Sequence, residues 1–288
     1  MQQRPFRQID VFSHHPGFGN PVAVVLDAQG LSDADMRRFA AWTNLSETTF
    51  LMPPTAAGHA AGADYRLRIF SPRGELPFAG HPTLGTCRAW LQQGHTPRIP
   101  GLVVQESAQG LVQIEHQGDT LAFAAPPLQR SKPSPALVPL VASALGLRPH
   151  QIRATQLLDN GPVWLGLLLD SAETVLGLTP DHARLKDLGQ DVGVIHIAPD
   201  AGDNPERPGA VVRAFAAPMG NPEDPVTGSL NASLAQWLIG EGLAPTRYLV
   251  AQGECLGRAG RVYIRQDAQG RVWVGGHTVT CIEGTALL

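Results

Sequence analysis

The sequence predicts an α+β protein made of two similar domains, each a mixed β-sheet around one central helix. The first observation is an internal repeat. H-P-x-x-G-T at residues 81–86 returns as D-P-x-x-G-S at residues 224–229, an offset of 224 − 81 = 143 in a chain of 288 residues. The second is that each copy runs into an apolar helix pattern with a Trp-Leu pair, at 90–91 and 237–238. The third is that strand patterns flank both helices, an order that favours this architecture over a doubly wound parallel sheet.

The spacing of the Trp-Leu pairs adds a detail to this prediction. The pairs are 237 − 90 = 147 residues apart, four more than the motifs that precede them. Four residues are about one helical turn, so we expect the second copy to have gained one turn of helix, with its Trp-Leu pair on a similar face.

Composition and charge exclude several classes of protein. Hydrophobic residues make up 43 % and charged residues 16 % of the chain, which suits a folded core and not disorder. A net charge of −3 without a Lys- or Arg-rich run gives no footprint for nucleic acid, and no apolar run has membrane-spanning length. Residues 1–10 lack the apolar core of a signal peptide. Three scattered cysteines, Cys87, Cys255 and Cys281, favour a reducing cytoplasm over a disulfide framework.

The first half alternates between strand and helix patterns. Strands are predicted at residues 7–12, 20–27, 48–53, 63–72, 102–107, 110–117 and 120–126. Within 63–72, Tyr65, Leu67 and Ile69 alternate with two arginines, as in a half-buried strand. Helices are predicted at 32–44, with Ser32 as N-cap, and from Pro82 to about residue 92.

The second half begins with a proline-rich segment, residues 126–136, which is the predicted linker because its proline density disfavours regular structure. Patterns after it predict helices at 136–146, 180–189 and 226–239, strands at 161–170, 192–199 and 209–218, and a hairpin plus a further strand across 261–288. The two domains are therefore placed at 1–126 and 127–277, and the strand at about 278–288 could join the first.

Motifs for cofactors and metals do not fit the chain. G-F-G-N-P-V, residues 17–22, resembles the start of a dinucleotide fingerprint, but a β-branched run follows it where that fingerprint needs a helix. The sequence has no G-x-x-x-x-G-K phosphate loop, no G-x-S-x-G elbow, and no metal-ligand spacing among its ten histidines. We therefore expect neither a cofactor nor a metal.

Glu47 is the first candidate for acid/base chemistry. It lies in N-L-S-E-T-T-F, residues 44–50, between a helix end and an apolar strand. On local sequence alone a solvated or backbone-capping carboxylate is the favoured interpretation, because loop acids are mostly solvated. The neighbouring Leu45 and Phe50 nevertheless indicate a partly apolar site, in which a carboxyl group could take up and release protons.

His81 and Asp224 each stand just before a proline at a predicted helix start, a position that suits proline. Asp224 is a natural N-cap, and that is its purely structural interpretation, whereas His81 is a poor one. Thr86 and Ser229 add a small hydroxyl group to each copy of the motif. Two titratable residues in two matching motifs favour a functional role over helix capping alone.

Three glycines in the motifs, Gly80, Gly85 and Gly228, would let a ligand approach the backbone closely. If the two halves face each other, two helix N-termini converge, and their free N–H groups and positive dipole ends form a natural carboxylate site. We therefore predict a small-molecule carboxylate as the ligand.

Taken together, these segments resemble the PhzF family of phenazine biosynthesis-like proteins. The resemblance runs nearly end to end and is carried by I-D-V-F at 9–12, G-N-P-V-A-V-V at 19–25, N-L-S-E-T-T-F, F-A-G-H-P-T-L-G at 78–85, G-N-P-E-D-P-V-T-G-S at 220–229 and Q-G-E-C-L-G-R-A-G at 252–260. It implies a diaminopimelate epimerase-like fold, with two pseudo-symmetric domains, a central helix in each and the active site in the cleft between them. It also implies a homodimer.

The best-known activity of the family is the isomerisation of trans-2,3-dihydro-3-hydroxyanthranilate. The resemblance implies that Glu47 is the acid/base that moves a proton between two substrate carbons. It implies that His81, Asp224 and Ser229 hydrogen-bond the substrate and assist. The backbone around Gly80 and Gly228, together with Thr227, would bind the substrate and hold its carboxylate.

Epimerases of related fold use two cysteines, one at each helix start, where this chain has Ala79 and Thr227. Two-thiol chemistry is therefore rejected. Two alternatives to the one-base isomerase stay open: an epimerase or racemase with Glu47 and Asp224 as two bases, and a non-catalytic small-molecule-binding protein.

Overall fold

The computed structural model describes residues 2–204 and 206–288. The chain divides into two compact units, and each is described by itself. Unit 1 comprises Met1–Ala124 and Gly275–Leu288, and unit 2 comprises Ala125–Val274. No helix within the described ranges combines the length and the apolar character that a membrane crossing requires.

Unit 1 is a closed ring of strands with short helices on its outside. Its elements are β1 Gln3–Val11, β2 Asn20–Val25, α1 Asp33–Thr43, β3 Thr48–Met52, α2 Ala56–Ala60, β4 Tyr65–Ser71, β5 Gly74–Leu76, α3 Gly80–Gln92, β6 Leu102–Ser107, β7 Gly110–Gln117, β8 Thr120–Ala124 and the larger part of β17 Val272–Leu287. The pairing runs β1–β2–β3–β4–β6–β7–β8–β17 and returns to β1, with β2–β3 and β4–β6 parallel.

Helix α3 runs through this ring because its residues are apolar or small on nearly every side. Ten of its 13 residues are buried, and it contacts β1, β2, β3, β4 and β8. Gly85 allows the close approach, since a Cβ atom there would lie 2.3 Å from Val22 Cγ1. Gly85 is therefore explained by helix packing, and the expected ligand approach at this position is wrong. Thr86 is likewise structural, because its hydroxyl donates to Thr49 Oγ1 at 2.8 Å inside the unit.

Unit 2 repeats the central helix and the two parallel strand pairs of unit 1. Its elements are β9 Gln129–Ser131, α4 Leu137–Leu145, β10 Ile152–Asp159, β11 Val163–Leu169, α5 Ala172–Leu176, α6 His182–Leu188, β12 Asp191–Ile197, β13 Ala210–Ala216, β14 Asn221–Asp224, α7 Gly228–Gly240, β15 Arg247–Gln252 and β16 Gly260–Gln266. The β11–β12 and β13–β15 pairs are parallel. Gly166 and Gly193 face α7 closely, and a Cβ on Gly193 would lie 2.3 Å from Leu230 Cδ1.

Strand register extends the repeat well beyond the motifs. In unit 1 Tyr65 of β4 pairs with Gln105 of β6, and in unit 2 Val212 of β13 pairs with Gln252 of β15. Both members are shifted by the same number, 212 − 65 = 147 and 252 − 105 = 147. The two units therefore share topology and register.

The register and the helix bounds correct one expectation. Both central helices have 13 residues, and both ends are shifted by 148, from 80 to 228 and from 92 to 240. The second copy has therefore gained no helical turn. Its additional residues lie between Asp224 and the start of α7, so the structural counterpart of His81 lies in the first turn of α7, at Gly228 by the strand register or Ser229 by the helix bounds, and not at Asp224.

Two further expectations fail for reasons of tertiary pairing. The linker 126–136 contains the short strand β9, because its residues pair with β10, for example Ser131 with Leu157. The predicted hairpin near the end of the chain is present, formed by β16 and the start of β17 across the turn at 267–271, but β17 runs on to Leu287 without the predicted separate last strand. The capping of α1 is as predicted: Ser32 accepts from the Asp35 backbone N–H, and the two side chains form a capping box.

Candidate functional site

Glu47 and His81 are brought together in unit 1. Helix α1 ends at Asn44, whose left-handed backbone (φ 56°) turns the chain, so that Glu47 directly precedes β3. His81 is the second residue of α3, after Gly80. Their side chains meet with His81 Nε2 3.3 Å from Glu47 Oε2 and are 5 % and 14 % exposed. The sequence interpretation of Glu47 as a solvated carboxylate is therefore wrong.

The imidazole of His81 is held neutral at pH 7. Burial lowers the pKa of His81 to about 3, and a hydrogen bond to the backbone of Pro21 opposes this effect without cancelling it. The 3.3 Å contact meets the distance criterion of an ion pair, but a charged imidazolium is not implied, because burial disfavours the charged form.

The tautomer of His81 follows from its two neighbours. The Pro21 carbonyl can only accept, so the ring nitrogen that bonds it, Nδ1, carries the hydrogen of the neutral ring. Nε2 then presents its lone pair toward Glu47 Oε2 at 3.3 Å. A carboxyl group and a neutral imidazole thus lie side by side with little exposure to solvent.

In unit 2 Asp224 ends β14 and is 8 % exposed. It does not cap α7, as the sequence predicted, because the N-cap is Thr227 and Asp224 lies four residues before the first helical residue. Its side chain instead accepts two hydrogen bonds, from Thr227 Oγ1 at 2.6 Å on Oδ2 and from Asn221 Nδ2 at 3.2 Å on Oδ1. The carboxylate is therefore fixed in orientation by its own loop.

The two central helices begin alike. Neither N-cap, Ala79 of α3 or Thr227 of α7, makes a side-chain capping hydrogen bond. The first helical residue is a glycine in both, Gly80 and Gly228. A helix start without a capping side chain presents backbone N–H groups that an anion can bind.

Ser229 follows Gly228 and is 7 % exposed. Its carbonyl accepts from Asn160 Nδ2 at 2.9 Å, and within the described part of the chain its hydroxyl makes no hydrogen bond. That hydroxyl is therefore available to a ligand.

Sequence reasoning missed two residues that support the start of α7: Gln252 at the end of β15 and Asn231 within α7. Both are 1 % exposed and bond the backbone of Thr227. Gln252 opens Q-G-E-C-L-G-R-A-G, which by itself indicated only a turn. The signal that could have found it is the repeat, since L-V-V-Q at 102–105 matches L-V-A-Q at 249–252.

No three His, Cys, Asp or Glu side chains of residues 2–204 and 206–288 cluster in a way that could hold a metal ion. Of the cysteines, Cys87 is buried in α3, and Cys255 and Cys281 are exposed. Neither helix start carries a thiol, in agreement with the rejection of two-thiol chemistry.

Comparisons with known proteins cover the whole chain. A family model described as "Phenazine biosynthesis-like protein" matches residues 9–284. The chain is 35 % identical over 305 residues to Antisense-enhancing sequence 1 of Schizosaccharomyces pombe, which covers 100 % of both chains. It is 33 % identical over 294 residues to the trans-2,3-dihydro-3-hydroxyanthranilate isomerase of Pseudomonas aeruginosa, covering 97 % of this chain and 98 % of that protein.

Solved structures of other proteins share the fold of this chain. A PhzF-family phenazine biosynthesis protein of Bacillus anthracis superimposes with a TM-score of 0.82 at 22 % identity, covering 100 % of both chains. A hydroxyproline epimerase of Agrobacterium vitis superimposes with a TM-score of 0.62 at 15 % identity, covering 98 % of this chain and 92 % of that one. The predicted α+β, epimerase-like fold is thus confirmed.

The fold and its relatives define an isomerase of the epimerase-like α+β class. The chain belongs to the phenazine biosynthesis-like, or PhzF, family.

Proposed function

We propose that this isomerase moves a proton between two carbons of a small carboxylated substrate, by acid/base catalysis and without a cofactor. The observation that carries the proposal is the shielded contact between Glu47 Oε2 and His81 Nε2 at 3.3 Å. A carboxylate beside a neutral imidazole can remove a proton from one carbon and return it to another. Glu47 is the acid/base, and His81 orients the substrate and assists.

The substrate is similar to trans-2,3-dihydro-3-hydroxyanthranilate. The 33 % identity to an isomerase named for that compound, over nearly the full length of both chains, supports this choice. The family resemblance assigns the binding of its carboxylate to the backbone around Gly80 and Gly228. Asp224, Thr227 and Ser229 hydrogen-bond its polar substituents.

A single base is favoured over two. Phe50 pairs with Arg68 and Val192 pairs with Phe215, and 215 − 68 = 147 is the shift found elsewhere in the repeat. The loop before β12 is shorter than the loop before β3: Gly189, the left-handed C-cap of α6, corresponds to Asn44, and only Gln190 separates it from β12, so the segment that carries Glu47 has no counterpart. Unit 2 therefore has no side chain where unit 1 has its carboxyl group.

Asp224, the other base of the epimerase alternative, accepts a hydrogen bond on each carboxylate oxygen. Such bonds hold the carboxylate in one orientation. Asp224 therefore suits the binding of a substrate hydrogen better than the removal of one.

The test is Glu47→Gln, which keeps size and most hydrogen bonds but cannot take a proton. With trans-2,3-dihydro-3-hydroxyanthranilate as substrate, turnover should fall by at least about two orders of magnitude, the low end of general acid–base contributions, with folding and binding retained. The matched control is Glu241→Gln at a side chain 46 % exposed, which should leave turnover unchanged.

Three outcomes separate the candidate functions. Near-normal turnover of Glu47→Gln excludes Glu47 as the base and leaves Asp224. A wild type that inverts a chiral carbon and incorporates one solvent deuterium there is an epimerase. A wild type that binds the compound without converting it is a binding protein.

Activity that is lost on chelation and restored by zinc contradicts the cofactor-free mechanism.

The homodimer and the cytoplasmic location also belong to this proposal. An apolar surface around Trp42 and Leu287, which are 78 % and 63 % exposed, supports self-association. Sedimentation equilibrium measures the mass directly, and a monomer at micromolar concentration contradicts the dimer.

A further inference from the structure

Gln252 is the centre of a buried hydrogen-bond network beneath the start of α7. Its Oε1 accepts from the Thr227 backbone N–H at 3.1 Å and from Asn231 Nδ2 at 2.8 Å. Its Nε2 donates to the Asp224 carbonyl at 3.2 Å and to Thr227 Oγ1 at 3.0 Å. All four partners lie in one loop and helix start, so one amide ties together the segment that carries Asp224.

The direction of every bond in this network is determined by its backbone members. The Thr227 carbonyl can only accept, so the Asn231 atom 2.9 Å away is its nitrogen. That nitrogen and the Thr227 N–H both donate, so the Gln252 atom between them is its oxygen. The Gln252 nitrogen consequently faces the Asp224 carbonyl and the Thr227 hydroxyl.

One consequence reaches the carboxylate. Thr227 Oγ1 accepts from Gln252 Nε2, so its single hydrogen is free to point at Asp224 Oδ2, 2.6 Å away. Hydrogen bonds to a carboxylate are about twice as strong as neutral ones, and this one is shielded from water. Without a donor at Gln252, the hydroxyl could turn toward residue 252 and leave Asp224.

We propose that Gln252 is a positioning residue: its amide directs the Thr227 hydroxyl onto Asp224 and so holds that carboxylate in the orientation that binds substrate. The part that concerns substrate rests on the proposed function. The orientation of the hydroxyl stands on the hydrogen bonds alone.

The chain offers a matched control in unit 1. Gln105 occupies the same register position, is 0 % exposed, and donates to Thr83 Oγ1 at 3.2 Å while accepting from the Tyr65 hydroxyl at 3.0 Å. Among residues 2–204 and 206–288, no hydrogen bond of Gln105 or Thr83 reaches a proposed substrate-binding group. Gln→Glu at either position makes the same change of shape and charge inside a barrel.

The experiment compares Gln252→Glu with Gln105→Glu, each alone and combined with Asp224→Asn. A glutamate at 252 cannot donate as the amide does. The kcat/KM of Gln252→Glu for trans-2,3-dihydro-3-hydroxyanthranilate should therefore fall about ten- to a hundredfold, which corresponds to the loss of one hydrogen bond to a charged group. In the Asp224→Asn background the same substitution should cost less than about threefold, whereas the effect of Gln105→Glu should be the same in both backgrounds. Equal losses from Gln252→Glu in both backgrounds overturn the proposal.

Two further measurements keep the test decisive. If Gln252→Glu does not fold, Thr227→Val and Thr83→Val replace the pair of variants, with the same expected dependence on Asp224. A proton NMR spectrum of threonine-labelled protein needs no substrate: the buried Thr227 hydroxyl resonance, assigned by its loss in Thr227→Val, should vanish or move in Gln252→Glu and persist in Gln105→Glu. An unmoved resonance in folded Gln252→Glu refutes the orientation, whereas a wild type without turnover refutes only the proposed function.

Discussion

The buried imidazole of His81 makes a quantitative prediction about stability and pH. Because burial lowers its pKa from 6.5 to about 3, the folded protein binds fewer protons here than the unfolded chain at any pH between those values. The contribution of the neutral His81 imidazole to stability is therefore complete above pH 6.5 and is lost as the pH falls toward 3. pH 5 lies 6.5 − 5 = 1.5 units below the pKa of the unfolded imidazole. At 1.36 kcal/mol per unit, protonation of the unfolded chain at His81 lowers the free energy of unfolding by about 2 kcal/mol.

The assay is urea unfolding followed by circular dichroism at pH 7 and pH 5. His81→Gln replaces the imidazole with a polar group that does not titrate. The wild type should lose about 2 kcal/mol more than this variant between the two pH values. His150→Gln, at an exposed position in a short turn, should behave as the wild type does. Equal losses in the wild type and His81→Gln would refute the neutral, buried imidazole beside Glu47.

Two other predictions concern packing and thiols. Gly85→Ala places a methyl group 2.3 Å from Val22 Cγ1 and should lower the free energy of unfolding by about 1–3 kcal/mol. The double variant Gly85→Ala/Val22→Ala should lose less stability than the sum of the two single variants. Strict additivity in urea titrations would contradict the contact. With a disulfide reagent, the exposed Cys255 and Cys281 should react in the native protein, whereas Cys87, buried and with its pKa raised by burial to about 12, should react only after unfolding. Turnover should survive modification of the two exposed thiols, and three rapidly reacting thiols in native protein would contradict the burial of Cys87.

The sequence predicts the elements whose periodicity is set by one buried face. Strand β4 alternates along Tyr65, Leu67 and Ile69, all buried, and α1 begins at its expected cap. The repeated H-P and D-P motifs also correctly predict two central helices, one in each unit. Local periodicity and capping chemistry suffice in these cases because each depends on residues close in the chain.

Strands β10 and β15 were missed for a physical reason. In β15 five successive residues, Tyr248 to Gln252, are buried, so the alternation that marks a half-buried strand is absent. The linker strand β9 depends on a partner more than twenty residues away. Such elements are decided by tertiary pairing, which a single sequence does not display.

The candidate site divides in the same way. His81 is conspicuous because an imidazole is a poor residue for capping. Glu47 looks solvated in sequence and is recognisable only through the family resemblance, because its partner lies 34 residues away. Gln252 is less visible still, since a buried glutamine has meaning only through its contacts with Asp224 and Thr227. The roles of these residues in catalysis and binding stay predictions.

Strand β17 has a consequence for the order of synthesis and folding. Its residues 275–287 close the ring of unit 1 by pairing with β1, yet the ribosome makes them after all of unit 2. While unit 2 emerges, unit 1 has an unpaired β1 edge and an open side through which α3 is exposed to water. Unit 2 is one continuous segment, Ala125–Val274, so it needs no later strand and can complete its core first. The Glu47–His81 contact, which lies in unit 1, is therefore assembled in its final, buried form only when translation has passed β17.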